Sequence, residues 1–423
     1  MTTLTVYEAA AGVAPTAGYW NRARKTGAVL IGLGLLAAVL CGLAAKAGAD
    51  ARFTLAAATT GRSVPVPARP GAIAFGLLCA LAGAVLLTRF GARLVGTLTA
   101  IGLVAVIASA LCWQVAGQIM PLGDVGSSTI QSATPLVFGA MAGVLCERSG
   151  VINVAIEGQL LSGAFLGALF GTIAASIWIG LLAAMLGGVV IAALLAVLAI
   201  RYLVDQVVLG VVLNLFVLGM TGFLFTQVMQ KNSDRYNFPP ILPAWQVPGL
   251  SKIPLLGPAL LRQNALVYLA IVLVVAVHFA LFRTRWGLRT RAVGEHPTAA
   301  DTVGIRVRGT RYRNVLLAGV FAGLGGAYLT LGGVGGFTNN MTNGRGYIAL
   351  AALIFGRWSP VGATLAALLF GFFGALATFL GLTSSIPNEF LAMLPYIVTI
   401  VAVAGLVGRV RAPAADGKPY VKS

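Results

Sequence analysis

Charged side chains are scarce in this sequence, and histidine is nearly missing. Charged residues make up 9% of the 423 residues, hydrophobic residues make up 58%, and there are two histidines. The apolar residues form runs of about twenty, long enough for a helix to cross the hydrocarbon core of a bilayer. A soluble domain needs a far more polar surface than this composition can provide, so the composition excludes a soluble domain.

Potential metal ligands are few and scattered. His278 and His296 have no carboxylates at ligand spacing, and the four cysteines contain no Cys-x-x-Cys pair. We therefore expect no metal site and interpret the cysteines as small packing residues. The spans also lack an Asp-Asp-x-x-Asp motif, a His-Glu-x-x-His motif and a nucleophile beside a base, which disfavours an intramembrane enzyme.

Basic residues outnumber acidic ones, 29 to 11, and give a formal net charge of +18. They lie between apolar runs rather than along one polar face, which indicates positive-inside membrane topology and no nucleic-acid partner. The lipid bilayer is the partner that this pattern predicts. Since lipid offers no hydrogen bonds to backbone N–H and C=O groups, the apolar runs are predicted to be helices.

Twelve apolar segments indicate an all-α polytopic membrane protein. Those at 132–146 and 346–357 are too short to cross alone, so the prediction is ten to twelve transmembrane segments, some of them broken. The first run is too long for a signal peptide and is predicted to remain uncleaved. The segments are 27–46, 70–88, 96–118, 132–146, 151–173, 176–199, 207–230, 265–282, 314–333, 346–357, 361–380 and 389–408.

Two polar loops set the predicted orientation. Residues 283–313 are rich in arginine and are predicted to face the cytoplasm, whereas residues 231–264 are rich in proline, asparagine and aromatics and are predicted to face outward. An even number of crossings then places both termini in the cytoplasm. Basic residues between Lys46 and Arg69 act against this bias locally.

The arginine-rich loop contains a segment with helix signals at both ends. Pro297 suits a first helical position, residues 298–303 would form the body, and Gly304 can adopt the left-handed conformation that ends a helix. Since a two-turn helix is not stable alone in water, it needs a surface to dock against. The alternative is a solvated basic loop that only sets topology.

The order of residues in this loop resembles the coupling segment of ATP-binding-cassette (ABC) importer permeases. The predicted ATPase-coupling residues are Gly294, Glu295, His296, Pro297, Ala299, Ala300 and Gly304. The chain contains no GxxxxGK[ST] phosphate-binding loop, so the ATPase is expected to be a separate cytosolic subunit. The chain itself is then expected to bind no cofactor, with ATP used by that partner.

Further motifs resemble the branched-chain amino acid and ribose permease superfamily and, within it, bacterial nucleoside permeases. The resemblance covers about residue 120 to the end. It is carried by 134–136, by 147–153 with Glu157 and Gly158, by 205–208, by the coupling loop, by 344–356 and by 417–420. The domain prediction is a cytoplasmic segment 1–26, an extension 27–118 with about three spans, a permease domain 119–408 and a cytoplasmic tail 409–423.

Ionisable and polar residues between two of the apolar runs are the first candidates for a substrate path. Glu147, Asn153 and Glu157 would be costly in a membrane unless paired, hydrated or turned toward a cavity. If Ser149 and Gly150 break the helix, Asn153 and Glu157 share one face of a half-helix that starts inside the bilayer. The alternative is an ordinary cytoplasmic turn with Glu157 at a helix N-terminus.

Two further stretches could also line a path. Gln206, Gly210 and Asn214 are spaced four residues apart, a pattern that also fits simple helix packing. Asn343 lies in a loop rich in asparagine and glycine that precedes the short segment 346–357, and such a loop could equally be an external turn. The short segments 132–146 and 346–357 occupy comparable places in the two halves, as interrupted helices near a central site would.

The resemblance implies a permease subunit of a nucleoside (or related sugar-containing solute) importer in a bacterial plasma membrane. Its implied partners are a cytosolic ABC ATPase, a second permease that is identical or related, and an extracytoplasmic substrate-binding lipoprotein. The alternative is a secondary transporter or channel for a small polar solute that works alone.

Overall fold

The computed structural model describes residues 21–55, 63–88, 90–246, 248–249, 253–383, 387–393, 396 and 411–422. The chain divides into two compact units. The first lies within Met1–Thr54 and Gly61–Met120, and the second within Leu55–Thr60 and Pro121–Ser423.

The first unit contains three long apolar helices and a small sheet. Gly34 lies so close to the neighbouring helix that an added Cβ would be 2.4 Å from the backbone nitrogen of Ala80, which explains why a residue without a side chain stands there. The three strands lie in the order β2-β1-β3. The elements are α1 Arg22–Ala44, β1 Asp50–Thr54, β2 Ser63–Pro67, α2 Ala68–Leu87, α3 Val95–Gln114 and β3 Ile119–Pro121.

The second unit is a bundle of long helices with shorter helices between them. Its helices are α4 Leu122–Glu147, α5 Ile156–Ile173, α6 Ile177–Ala196, α7 Gln206–Leu224, α8 Ser233–Tyr236, α9 Leu256–Leu260, α10 Ala265–Arg283, α11 Arg285–Glu295, α12 Pro297–Thr302, α13 Val307–Leu329, α14 Arg345–Phe355, α15 Pro360–Thr383 and α16 Asn388–Ala392. Five-residue π-helical turns extend α6, α7 and α13. The antiparallel pair β4 Ala244–Gln246 and β5 Arg262–Asn264 precedes α10.

Ten helices of the described chain are long and apolar enough to cross a membrane. The chain is therefore an all-α, multi-pass membrane protein with a few short strands outside the long helices. Helices α4 and α13 are the most buried of the ten, at 78% and 72%, and form the centre of the second unit. Helix α4 packs against α13, α14 and α15.

One predicted segment is longer in the structure than in the sequence analysis. The prediction that 132–146 is too short to cross is wrong, because α4 begins at Leu122 and has 26 residues. Its first turns contain Asp124, Ser127 and Gln131, which reduce the hydropathy of the segment. These three side chains are half-buried or exposed, and the Gln131 amide donates to the Ser127 hydroxyl one turn earlier at 3.2 Å. The proposed pair of short segments in the two halves is therefore wrong.

The other short segment is confirmed, since α14 has 11 residues. The last apolar run, 389–408, falls mostly outside the described residues. The idea that Asn153 and Glu157 share one helix face is wrong, because α4 ends at Glu147 and α5 begins only at Ile156. Residues 148–155 form a turn in which Gly150 has a φ of +84°, a conformation that favours glycine.

Candidate translocation path and coupling site

Glu157 binds the N-terminus of the short helix α14. One carboxylate oxygen accepts the N–H of Gly344 at 2.8 Å, and the other accepts the N–H of Gly346 at 2.5 Å. The first N–H groups of a helix have no partner within the helix, and the helix dipole favours a negative charge beside them. Glu157 therefore fixes the position at which α14 begins.

Asn214 connects three segments at the same level. Its side-chain oxygen accepts the N–H of Gly158 at 2.8 Å, and its nitrogen donates to the carbonyl of Val154 at 2.9 Å and to the hydroxyl of Tyr347 at 3.0 Å. Asn214 is buried. Helix α7 is thus tied by one side chain to the start of α5 and to the start of α14.

Asn153 is also fully buried, and its amide exchanges two hydrogen bonds with the amide of Gln159, at 3.1 and 3.2 Å. Gln206 accepts the N–H of Ile152 at 2.7 Å and so joins α7 to the same turn. Each of these polar atoms forms its hydrogen bond with another group of the protein, which lowers the free-energy cost of burying it in a membrane. These contacts hold the turn 148–155 in one conformation.

The far end of α14 meets the end of α4. The indole N–H of Trp358 donates to Glu147 at 2.5 Å, and the Arg148 guanidinium donates to the carbonyl of Trp358 at 2.8 Å. An eleven-residue helix is about 16 Å long. Glu157 and Glu147 therefore mark two levels of the bundle, separated by roughly the length of α14.

A cavity of about 410 Å³ lies between α4, α15 and the start of α14. Asn343 and Arg345 contribute to its wall at the level that Glu157 fixes. The lining residues are Ser132, Leu136, Asn343, Arg345, Ile348, Phe370, Gly371, Gly374, Ala377, Thr378, Leu391 and Tyr396. Among the predicted path residues, Asn343 is thus in the wall, whereas Glu147, Asn153, Glu157 and Asn214 support the surrounding helices and are not among the lining residues.

The predicted coupling segment forms the short helix α12, which begins at Pro297. Gly304 follows it with a φ of +81°, as the sequence predicts. Glu295, His296, Ala299 and Gly304 are exposed. Gly294 and Ala300 are buried, and an added Cβ at Gly294 would be 2.2 Å from the carbonyl oxygen of Arg148. Four of the seven predicted coupling residues are thus fully accessible, and α11 lies directly against the turn after α4.

Arg345 lies in the candidate stretch that precedes the segment 346–357, whereas sequence reasoning missed Thr378, Tyr396 and Trp358. These three have no signal in the sequence, because a tryptophan, tyrosine or threonine in an apolar run is ordinary. Within the described residues, no three His, Cys, Asp or Glu side chains form a group that could hold a metal ion.

The comparison with protein families covers this same region. Residues 125–403 match the family described as the permease component of the branched-chain amino acid transport system. The chain belongs to this permease family. The matched region contains the cavity, the turn 148–155 and α12, and it leaves out the whole of the first unit.

Individual relatives of the permease are also similar over nearly their whole length. The guanosine ABC transporter permease protein NupQ of Bacillus subtilis is 42% identical over 308 residues, which are 70% of this chain and 95% of NupQ. The nucleoside ABC transporter permease protein NupC of Lactococcus lactis is 40% identical over 69% of this chain and 94% of NupC.

A putative glucose ABC transporter permease protein, TsgC13 of Haloferax volcanii, is 34% identical over 59% of this chain and 75% of its own length. No solved structure matches the permease. The members of this family are membrane permeases rather than enzymes.

Proposed function

We propose that this chain is the permease subunit of an ATP-driven importer of nucleosides in a bacterial plasma membrane. The observation that carries the proposal is the 42% identity to a guanosine permease across 95% of that relative. The family match over residues 125–403 includes both the cavity region and α12. The chain would bind substrate and undergo no bond chemistry, while ATP is used by the partner ATPase.

The cavity supports a polar substrate that forms hydrogen bonds. Its wall includes the hydrogen-bonding side chains of Ser132, Asn343, Thr378 and Tyr396, and Tyr396 is 48% exposed. Sugar hydroxyls and base edges pair with such groups, and a base can stack on an aromatic ring. The guanidinium of Arg345 donates to the carbonyl of Met341 at 2.8 Å, which leaves other N–H groups for a solute.

The ATPase would dock on the exposed face of α12. The arginine-rich sequence on both sides of α12 supports a cytoplasmic location for this helix under the positive-inside rule. A second permease, identical or related, would complete the path, and an extracytoplasmic binding lipoprotein would deliver the nucleoside. Both termini are then cytoplasmic.

Reconstitution tests this function. The complete importer, built from this chain with the ATPase, second permease and binding protein of its own genome, is placed in proteoliposomes and supplied with tritiated guanosine. We expect uptake only when ATP is present on the ATPase side and the binding protein is on the other side. A Walker-motif variant of the ATPase that does not hydrolyse ATP provides the matched control.

The same vesicles discriminate the alternative of a transporter that works alone. They are prepared with this chain only and given a proton or sodium gradient without ATP. Guanosine accumulation under the gradient would contradict the importer and favour a secondary transporter. Uptake of glucose in place of guanosine in the ATP-driven assay would correct the substrate class and keep the mechanism.

A further inference from the structure

The last described segment, residues 411–422, lies against the coupling region and is here called the tail. The N–H of Ala415 donates to the carbonyl of Gly294 at 2.9 Å, and the N–H of Ala414 donates to the carboxylate of Glu295 at 3.1 Å. The tail is therefore attached by its backbone to the last residues of α11.

The tail also packs against the buried face of the coupling helix α12. Tyr420 is 7% exposed and packs in one cluster with Val293, Ala300 and Val307. Lys422 lies 3.9 Å from the carboxylate of Asp301, a weak and exposed contact. The inner face of α12 is thus covered by the tail, which explains why Ala300 is buried although the neighbouring Ala299 is exposed.

On its other side the tail contacts the turn between α4 and α5. An added Cβ at Gly417 would be 2.6 Å from the side chain of Ile152, and the carbonyl of Ala415 lies close to Gly150. The buried guanidinium of Arg311 donates to the carbonyl of Lys418 at 3.0 Å. The tail therefore fills the space between α12, α13 and the turn 148–155.

Buried charges make this contact specific. The carboxyl of Asp416 lies beside Glu147, and burial raises the pKa of Asp416, while the nearby Arg311 opposes the shift. A buried carboxyl next to another carboxyl is costly unless a partner such as arginine compensates.

We propose that the tail is a positioning element that transmits movement of the coupling helix α12 to the turn 148–155. That turn leads into α5, where Glu157 fixes the start of α14 and thereby the wall of the cavity. The tail and α12 move as one body when the ATPase closes. This inference rests on the proposed function.

A pair of adjacent substitutions tests the role. Tyr420→Ala removes the buried ring, and Val421→Ala is the matched control because Val421 is 63% exposed. In the reconstituted importer, we expect Tyr420→Ala to lower guanosine uptake per ATP hydrolysed at least tenfold, with the ATPase still bound and still active. Tyr420→Phe, which keeps the packing, should restore coupling.

A merely structural role would lower uptake and ATP hydrolysis in proportion to the amount of assembled complex. Such a proportional loss would overturn the inference. So would a Tyr420→Ala variant with the same uptake per ATP as the wild type. If the wild type itself shows no ATP-dependent uptake, the proposed function fails, and that outcome is distinct from a tail variant that transports normally.

A crosslink provides a test that does not depend on weakening the tail. Asp301→Cys and Lys422→Cys are combined and joined by a short bismaleimide, while the native cysteines in the described residues are buried. Since the tail and α12 move together, uptake by this variant should stay within about twofold before and after crosslinking. A tenfold loss on crosslinking would show that the tail must leave α12, which contradicts the proposal.

Discussion

At the scale of single residues, the polar groups near the cavity have two different tasks. The side chains of Glu157, Asn214 and Asn153 form hydrogen bonds with other groups of the protein. These bonds fix the starts of α5 and α14. Asn343 and Arg345 face the cavity from the start of α14. Direct substrate contact by Glu157, Asn214 and Asn153 stays a prediction. Among the predicted path residues, the geometry supports substrate contact best for Asn343.

Asn343 can be tested against a neighbour in the same loop. Asn340 and Asn343 are both exposed and both have positive φ, 55° and 41°, so alanine strains the backbone similarly at either position. Only Asn343 lines the cavity. Losing one hydrogen bond of about 1–2 kcal/mol should raise the KM for guanosine uptake roughly 5- to 30-fold in Asn343→Ala and leave it unchanged in Asn340→Ala. Equal KM values in the two variants would remove Asn343 from the path.

At the scale of elements, α12 is a helix of six residues that depends on its surroundings. A helix of two turns is not stable alone in water, so α12 is stabilised by the packing of Ala300 against Val293, Val307 and Tyr420. Its outer face, with Ala299 and Gly304, is exposed. A helix held in this way presents a firm surface to a partner rather than a flexible loop.

Ala299 tests whether this surface binds the ATPase. We expect Ala299→Trp to block docking by bulk, so that the ATPase no longer co-purifies with the permease and ATP-driven uptake falls at least tenfold. Ala299→Ser changes the residue without adding bulk and should behave as the wild type. Co-purification of the ATPase with Ala299→Trp at the normal ratio would place the docking surface elsewhere.

At the scale of the whole molecule, the two units differ in their relation to the family. The family match begins at residue 125, so the permease function is assigned to the second unit. The first unit has three membrane-crossing helices of its own, held by close contacts such as that of Gly34 with Ala80.

The predicted orientation is testable with two single cysteines. Val421 and Asp234 are both exposed, and they lie on opposite sides of the membrane in the proposed topology. A membrane-impermeant maleimide added to intact spheroplasts should label Asp234→Cys and leave Val421→Cys unlabelled until the cells are lysed. The reverse pattern would invert the topology and contradict cytoplasmic docking at α12.

The sequence alone determined the properties that depend on neighbouring residues. Apolar run length predicts spans because each helix satisfies its own backbone hydrogen bonds in lipid, and the membrane character is confirmed. The coupling helix was also predictable, since Pro297 and Gly304 lie within one short segment and specify its start and end by local backbone preference. The permease family was also predictable, because its motifs can be read directly from the order of residues along the chain.

Only the tertiary structure decided how distant segments meet. Ser132, Asn343 and Thr378 share one cavity although they belong to three separate segments. Helix α4 extends through its polar first turns, where the Gln263 amide of a distant segment donates to the Ser127 hydroxyl at 3.1 Å. Tyr420 became part of the coupling region through packing against α12, and no local pattern records such a contact. Hydropathy is a property of each segment taken alone. The cavity and the position of the tail depend instead on which distant segments pack against one another.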